Sequence, residues 1–392
     1  VQRILIVQLD HLGDAIITLG MLPALRERFP SAEIHVLAAP WNAAVFVTSP
    51  HVARVHISRL NRFARGHRTG WLWAQCWWGW RLRRWRYDLA IDVRGELPLV
   101  LLLWLSGARR RLGWDGGGGG FLLTDRAAFV PGRPELLSRL ALIDALGLGP
   151  QPARPPAPPW YGVPEEARRK IRVILAALHA PRPLLVLHLA AGTPAKCWPA
   201  AHWRELLGRL IVEHAPAIIL VGTRQDRPLA HAITGNATWP GVHDLTGALT
   251  VPELAALLEQ ADLAIGGDSG PAHLAAAVGT PVLSLFSGTN LVSQWRPWGR
   301  HVSVLQYAVP CSPCFRRHCP WREHPCMSGI TPAQVAQAAA AILGASRQPV
   351  HPLGRLPALL SLPVLPSSAP SEHVSMATVP AVPHIPPSGP SA

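Results

Sequence analysis

Apolar residues along the chain fall into two kinds of stretch: short unbroken runs, and longer segments in which they recur every three or four positions. Arg3 to Leu9 (RILIVQL) is the first unbroken run, the pattern of a strand covered on both faces in a parallel sheet. Asp10-His11-Leu12-Gly13-Asp14 follows as a turn, Ala15 to Phe29 has helical spacing, and Ile34 to Ala38 is the next strand. The alternation continues with a strand at Leu89 to Val93, a buried helix at Leu97 to Gly107 and a helix at Leu136 to Leu146 that Gly147 ends. It resumes with a helix at Glu165 to His179, strands at Leu184 to Leu189 and Ala217 to Val221, and a helix at Val251 to Ala261. A last helix spans Thr331 to Leu343. Strands alternating with helices in this way predict an α/β protein whose sheets are parallel.

Composition marks the boundaries. Gln151 to Pro159 (QPARPPAPP) reads as a stiff, extended segment between two domains. The expected organisation is residues 1–150, a linker at 151–163, a second domain at 164–345 and a tail at 346–392. The tail holds eleven prolines between Pro349 and Pro390 and few charges, so it is expected to be disordered. The glycine run Gly116 to Gly120 reads as a mobile loop, because no strand-to-helix pattern brackets it.

The chemistry concentrates between Leu263 and Gly288. Leu263 to Ile265 lead into Gly266-Gly267-Asp268-Ser269-Gly270. Pro271 to Val278 then read as a short helix stopped by Gly279 and Pro281, and Val282 to Phe286 as a further strand. Glycines in such a loop let the chain turn sharply and leave the helix-start N–H groups open to an anion, phosphate above all. His273 lies one turn beyond Ser269 on the same side. The alternative is that Asp268 and Ser269 only cap the helix.

GGDSGPAHLAAAVGTPVLSLF closely resembles the nucleotide-sugar motif of the bacterial heptosyltransferases, the family 9 glycosyltransferases, and the resemblance runs from about Arg3 to about Leu343. It implies two Rossmann-like domains facing across a cleft, the GT-B arrangement, and an inverting transfer of heptose from ADP-heptose to the inner core of lipopolysaccharide. Gly13-Asp14 matches the family's N-terminal pair, which makes Asp14 the expected general base. Lys196, in the loop Ala190 to Pro199 with Thr193, matches the basic residue directed at the diphosphate. The expected site is then Asp14 and Lys196 as catalytic groups, with Gly13, Thr193, Gly267, Asp268, Ser269, Gly270 and His273 binding substrate. No cofactor is required for that chemistry, because amide groups and a lysine can carry the leaving-group charge. On residues alone, Asp14 as a helix cap and Lys196 as a solvated surface lysine remain open.

Four of the six cysteines, Cys311, Cys314, Cys319 and Cys326, fall within sixteen residues. The spacing suggests a structural zinc or iron, a block many family members share, and four buried thiols are the alternative. It also keeps open a protein acceptor, since relatives that glycosylate proteins are thought to hold a metal there. Net charge is +14, and Lys170 and Lys196 are the only lysines. Between Arg54 and Tyr87 lie nine arginines, six tryptophans and no acidic residue. Such a mixture suits an anionic membrane surface or a charged acceptor, or a helix packing its tryptophans inward. Nucleic-acid binding is the least favoured reading and would make the protein a non-catalytic basic binder. The longest apolar run, Leu97 to Leu105, is far short of the roughly 20 residues of a spanning helix. With no secretory signal at the N-terminus, the expected location is cytoplasmic, at most peripheral on the inner membrane.

Overall fold

The structure, a computed structural model, describes residues 1–59, 70–147, 153–214, 216–235, 237 and 239–346. The first half runs β1 (Arg3–Gln8), α1 (Leu12–Leu19), α2 (Leu22–Arg28), β2 (Glu33–Ala38), α3 (Ala43–Val47), β3 (Arg54–Ile57), α4 (Trp71–Leu82), β4 (Leu89–Asp92), α5 (Leu97–Leu105), β5 (Arg110–Trp114), β6 (Asp125–Ala127) and α6 (Glu135–Asp144). The second runs α7 (Glu165–Ala177), β7 (Leu184–His188), α8 (Ala200–His214), β8 (Ala217–Val221), α9 (Arg227–Thr234), β9 (Val242–Asp244), α10 (Val251–Gln260), β10 (Leu263–Gly267), α11 (Gly270–Val278), β11 (Val282–Phe286), α12 (Val292–Trp295), β12 (Val302–Gln306), α13 (Pro325–Ser328) and α14 (Pro332–Ser346). The proline-rich tail lies outside the described residues.

Each half is a six-stranded parallel sheet, ordered β3-β2-β1-β4-β5-β6 and β12-β11-β10-β7-β8-β9. These are the same doubly wound order. The first strand of each half, β1 or β7, sits in mid-sheet, where Ile4 pairs with both Ile34 and Leu89, and Ile265 of β10 with both Leu187 and Leu283. The order reverses between β1 and β4 and again between β7 and β10. The carboxyl ends of those strands are where such sheets hold ligands.

Besides five strands that no apolar run marked, β3, β5, β6, β9 and β12, three details depart from expectation. The helix expected over Ala15 to Phe29 is two helices, broken at Gly20-Met21 ahead of Pro23. α1 also begins earlier, at Leu12, which puts Asp14 in its first turn. The helix α5 is only half buried: Leu99, Val100, Leu102 and Leu103 face the sheet, while Leu97 and Trp104 are 48% and 50% exposed. The glycine run is packed rather than free, since a Cβ at Gly117 would land on the Gly95 carbonyl and one at Gly119 would come 2.8 Å from Leu97 Cδ1.

The halves meet through α1 and α11. A Cβ at Gly270 would lie 2.9 Å from Leu12 Cβ, and one at Gly13 would lie 3.2 Å from His273 Cδ2, so the two helix starts touch because neither position carries a side chain. One hydrophobic core is continuous across this junction, from Ile16 and Ile17 to Leu274 and Ala275. The segment after the first half, described from Ala153, is fastened to α11 by the Trp160 N–H donating to Ala277 O at 2.9 Å, with Tyr161 buried beside it. Among the described residues no helix is long and apolar enough to cross a membrane.

Candidate active site at the junction of the two halves

Asp14 is 7% exposed in the first turn of α1, whose N-cap residue is His11, and its Oδ1 has no hydrogen-bond partner among the described residues. It is therefore not serving as a cap. Burial, and then the neighbouring Asp10 carboxylate, raise its pKa from 3.8 to about 7, while Arg139 and Arg94 pull it back. A buried carboxylate that titrates near neutrality is suited to proton abstraction. Around it the end of β1 is tied to the end of β4, because Arg94 Nη1 lies 2.9 Å from Asp10 Oδ2. Asp92 orders that loop by accepting the Arg94 and Gly95 N–H groups at 2.9 and 3.0 Å, and burial raises it to about 7 as well.

The second half presents the loop between β10 and α11. Asp268 does not cap the helix; its Oδ2 accepts from Lys196 Nζ at 2.6 Å and Asn290 Nδ2 at 2.7 Å. Ser269 is the N-cap residue but makes no side-chain capping bond, its hydroxyl lying 3.1 Å from His188 Nδ1 at the end of β7. Burial lowers His188 to about 4 and lowers His273 too, so both imidazoles are neutral at physiological pH. In the first turn of α11 Pro271 has no N–H and the Ala272 and His273 N–H groups reach Ser269 O at 3.1 and 3.4 Å, so the Gly270 N–H is the amide left there for an anion. Thr193 Oγ1 is buried without a partner among the described residues, on the loop that carries Lys196.

Gly13, Asp14, Lys196, Gly267, Asp268, Ser269, Gly270 and His273 therefore gather around the contact of α1 with α11, one set from each switch point. Several residues of this region were not legible in the sequence. Glu135 and Arg139 on α6 are 5% and 4% exposed and pair at 3.2 Å, with Arg139 Nη2 3.9 Å from Asp14 Oδ1. In sequence they read as an ordinary i, i+4 surface pair. Asn290 and His188 gave no signal, whereas Asp10 and Arg94 could have been found from their places at the carboxyl ends of β1 and β4.

At the cysteine block, where a structural metal is expected, the structure shows no metal-holding group among the described residues. Burial, and then the other three thiols, push the Cys326 thiol up, so the four are neighbours. Cys311 is exposed and Cys326 buried, and among the described residues no three His, Cys, Asp or Glu side chains are placed to hold an ion. The Arg/Trp stretch divides between the readings. Trp78 and Trp85 pack inward, beside His56 and a Tyr87 hydroxyl held 2.9 Å from His35 Nδ1. Trp73, Trp77 and Trp80, spaced to share one face of α4, are 81%, 48% and 67% exposed. Arg81 stacks 4.9 Å from the Trp77 ring centre. Residues 60–69 and the Trp71 side chain lie outside the described residues.

Residues 78–324 match the family of glycosyltransferase family 9 (heptosyltransferase). The chain belongs to this family. Its sequence is 25% identical over 295 residues to lipopolysaccharide heptosyltransferase 3 of Escherichia coli, covering 74% of this chain and 84% of that protein. It is 27% identical over 368 residues to lipopolysaccharide heptosyltransferase 1 of Pseudomonas aeruginosa, covering 87% and 98%. The fold of this glycosyltransferase is shared with the E. coli ADP-heptose lipopolysaccharide heptosyltransferase II, at a TM-score of 0.71 and 21% identity over 88% of this chain and 100% of that one.

Proposed function

We propose that this glycosyltransferase moves heptose from ADP-heptose to the inner core of lipopolysaccharide with inversion at the anomeric carbon. The contact of the Gly13-Asp14 turn with the start of α11 is the observation that carries the reading, because it sets a base from one half against an anion site from the other. Asp14 takes the proton of the acceptor hydroxyl as its oxygen attacks the anomeric carbon. The bond from that carbon to the β-phosphate oxygen breaks, and ADP departs against the Gly270 amide at the start of α11 and Lys196. Asp268 carries a negative charge and cannot itself bind the diphosphate. Its part is to aim Lys196 and Asn290. The relatives' names support heptose and lipopolysaccharide as substrate classes.

The acceptor lies at a membrane, and the outward faces of α4 and α5 fit that surface. Trp73, Trp77, Trp80, Leu97 and Trp104 are exposed there, with Phe121 beside them at 80%, and Arg81, Arg83 and Arg84 supply the charge for anionic headgroups. Incubating the purified protein with ADP-heptose and a heptose-deficient lipopolysaccharide core tests the function. Release of ADP with formation of an α-linked product from a β-linked donor supports it, and saturable binding of polynucleotide without turnover would overturn it. Transfer to protein instead of lipopolysaccharide would keep the chemistry and replace the acceptor.

A further inference from the structure

Between the base and the second half of the molecule lies a buried chain of polar contacts that the transfer step does not itself use. Arg139 Nη1 is 3.2 Å from Glu135 Oε2, and the other Glu135 oxygen, Oε1, accepts from Gln294 Nε2 of α12 at 2.7 Å. Glu135 is thus held on one oxygen by its own helix and on the other by the opposite half.

We propose that Arg139 is a positioning residue for the Asp14 base and that Gln294 fixes it there, through Glu135, from the other side of the junction. The inference rests on Asp14 being the base. At 3.9 Å the Arg139 guanidinium is too far from Asp14 Oδ1 to hydrogen-bond it, yet close enough to favour the carboxylate in a site nearly closed to water. The arrangement supports a charged base without occupying the oxygen that must accept the proton. The other groups facing Asp14 do not replace it. Asp10 and Arg94 are paired with each other at 2.9 Å, and His273 across the junction is kept neutral by burial. Glu135 would draw Arg139 away from Asp14 if it had no second donor, and Gln294 supplies that donor without adding charge. The base is therefore completed by the engagement of the two halves.

The pH dependence of turnover at saturating donor separates this role from simple packing. Gln294→Glu, a change in the second half alone, sets a carboxylate against Glu135 and should move the rising limb up by about half a pH unit or more. Arg139→Gln should move it up by about one unit or more, while Arg139→Lys, which keeps the charge, leaves it near the wild-type position at lower turnover. ADP affinity, measured by calorimetry, should stay the same in all three. A limb that does not move in Gln294→Glu overturns the inference, and does so even if Arg139→Gln fails to fold. Near-normal turnover in Asp14→Asn would instead remove the base assignment on which the inference rests.

Discussion

Replacing Asp14 by asparagine should make the protein slower and more stable at once, with the second effect depending on pH. The carboxyl ionises at 3.8 in an unfolded chain and at about 7 in the fold, chiefly because burial strips its water. As pH rises from about 4 to about 7 the unfolded chain has already released this proton while the native state still holds it, so native stability is lost across that window. Above about 7 the loss is complete, and below about 4 it is absent. At about 1.4 kcal/mol per pH unit, the penalty for holding Asp14 ionised is on the order of 4 kcal/mol. Asparagine cannot ionise. Asp14→Asn should therefore raise the urea midpoint at pH 8 by the equivalent of about 2 to 4 kcal/mol and change it little at pH 4. The shift of Asp92 has the same sign but is common to both proteins and cancels in the difference. Turnover should fall by about 100-fold or more, since the asparagine amide cannot take the acceptor's proton, while ADP affinity stays the same. Wild-type turnover should climb about tenfold per pH unit below 6 and level off above 8. Equal urea midpoints at pH 8 would show that Asp14 is not desolvated, and an asparagine variant with near-normal turnover would refute its role as base.

Lys196→Ala removes a charge from the diphosphate site and leaves Asp268 with Asn290 alone, so ADP affinity by calorimetry should weaken about tenfold or more. Lys170→Ala breaks only a pair with Glu253 in which the lysine is 55% exposed, and should leave ADP affinity unchanged and stability within about 1 kcal/mol. Gly79→Ala places a Cβ 2.6 Å from Leu105 Cβ where α4 lies on α5, which should cost about 1 to 3 kcal/mol in a denaturation experiment. Changing Arg81, Arg83, Arg84 and Arg86 to Gln should release the protein from anionic vesicles, at about 1 kcal/mol per charge near the surface, and spare activity on a short lipid-free acceptor. Unchanged sedimentation with vesicles would remove the membrane from the reading.

The alternating, parallel α/β character of both halves was within reach of the sequence, because strands buried on both faces carry unbroken apolar runs, as Ile4 to Val7 and Leu263 to Ile265 do, whereas β3, β5, β6, β9 and β12, shorter or more polar, gave no such run. The Asp14 and Asp268 loops could be placed at strand ends for the same reason. Burial of individual polar residues could not. Glu135 and Arg139 obey the i, i+4 spacing of a solvated pair, and only the docking of α6 beside α1 and α12 takes them out of water. The outward stripes on α4 and α5 were hidden in the opposite sense. Leu97 to Leu105 is apolar all round, so its spacing holds no information about which face meets the sheet.

The motif glycines make the same point about proximity. In the sequence Gly266, Gly267 and Gly270 suggest a sharp turn that only glycine could make. None of them has a positive φ, and neither does Gly13. What excludes a side chain is contact: at Gly266 a Cβ would press on His188 Cβ at 3.1 Å, and at Gly270 on Leu12 at 2.9 Å. Gly13 and Gly270 work as a pair, since a side chain on either would push α1 away from α11 and the base away from the anion site. Gly13→Ala has an imidazole edge to displace, whereas Gly270→Ala meets Leu12 at its Cβ, which moves only with the backbone of α1. The larger loss of turnover is therefore expected from the glycine farther in sequence from Asp14.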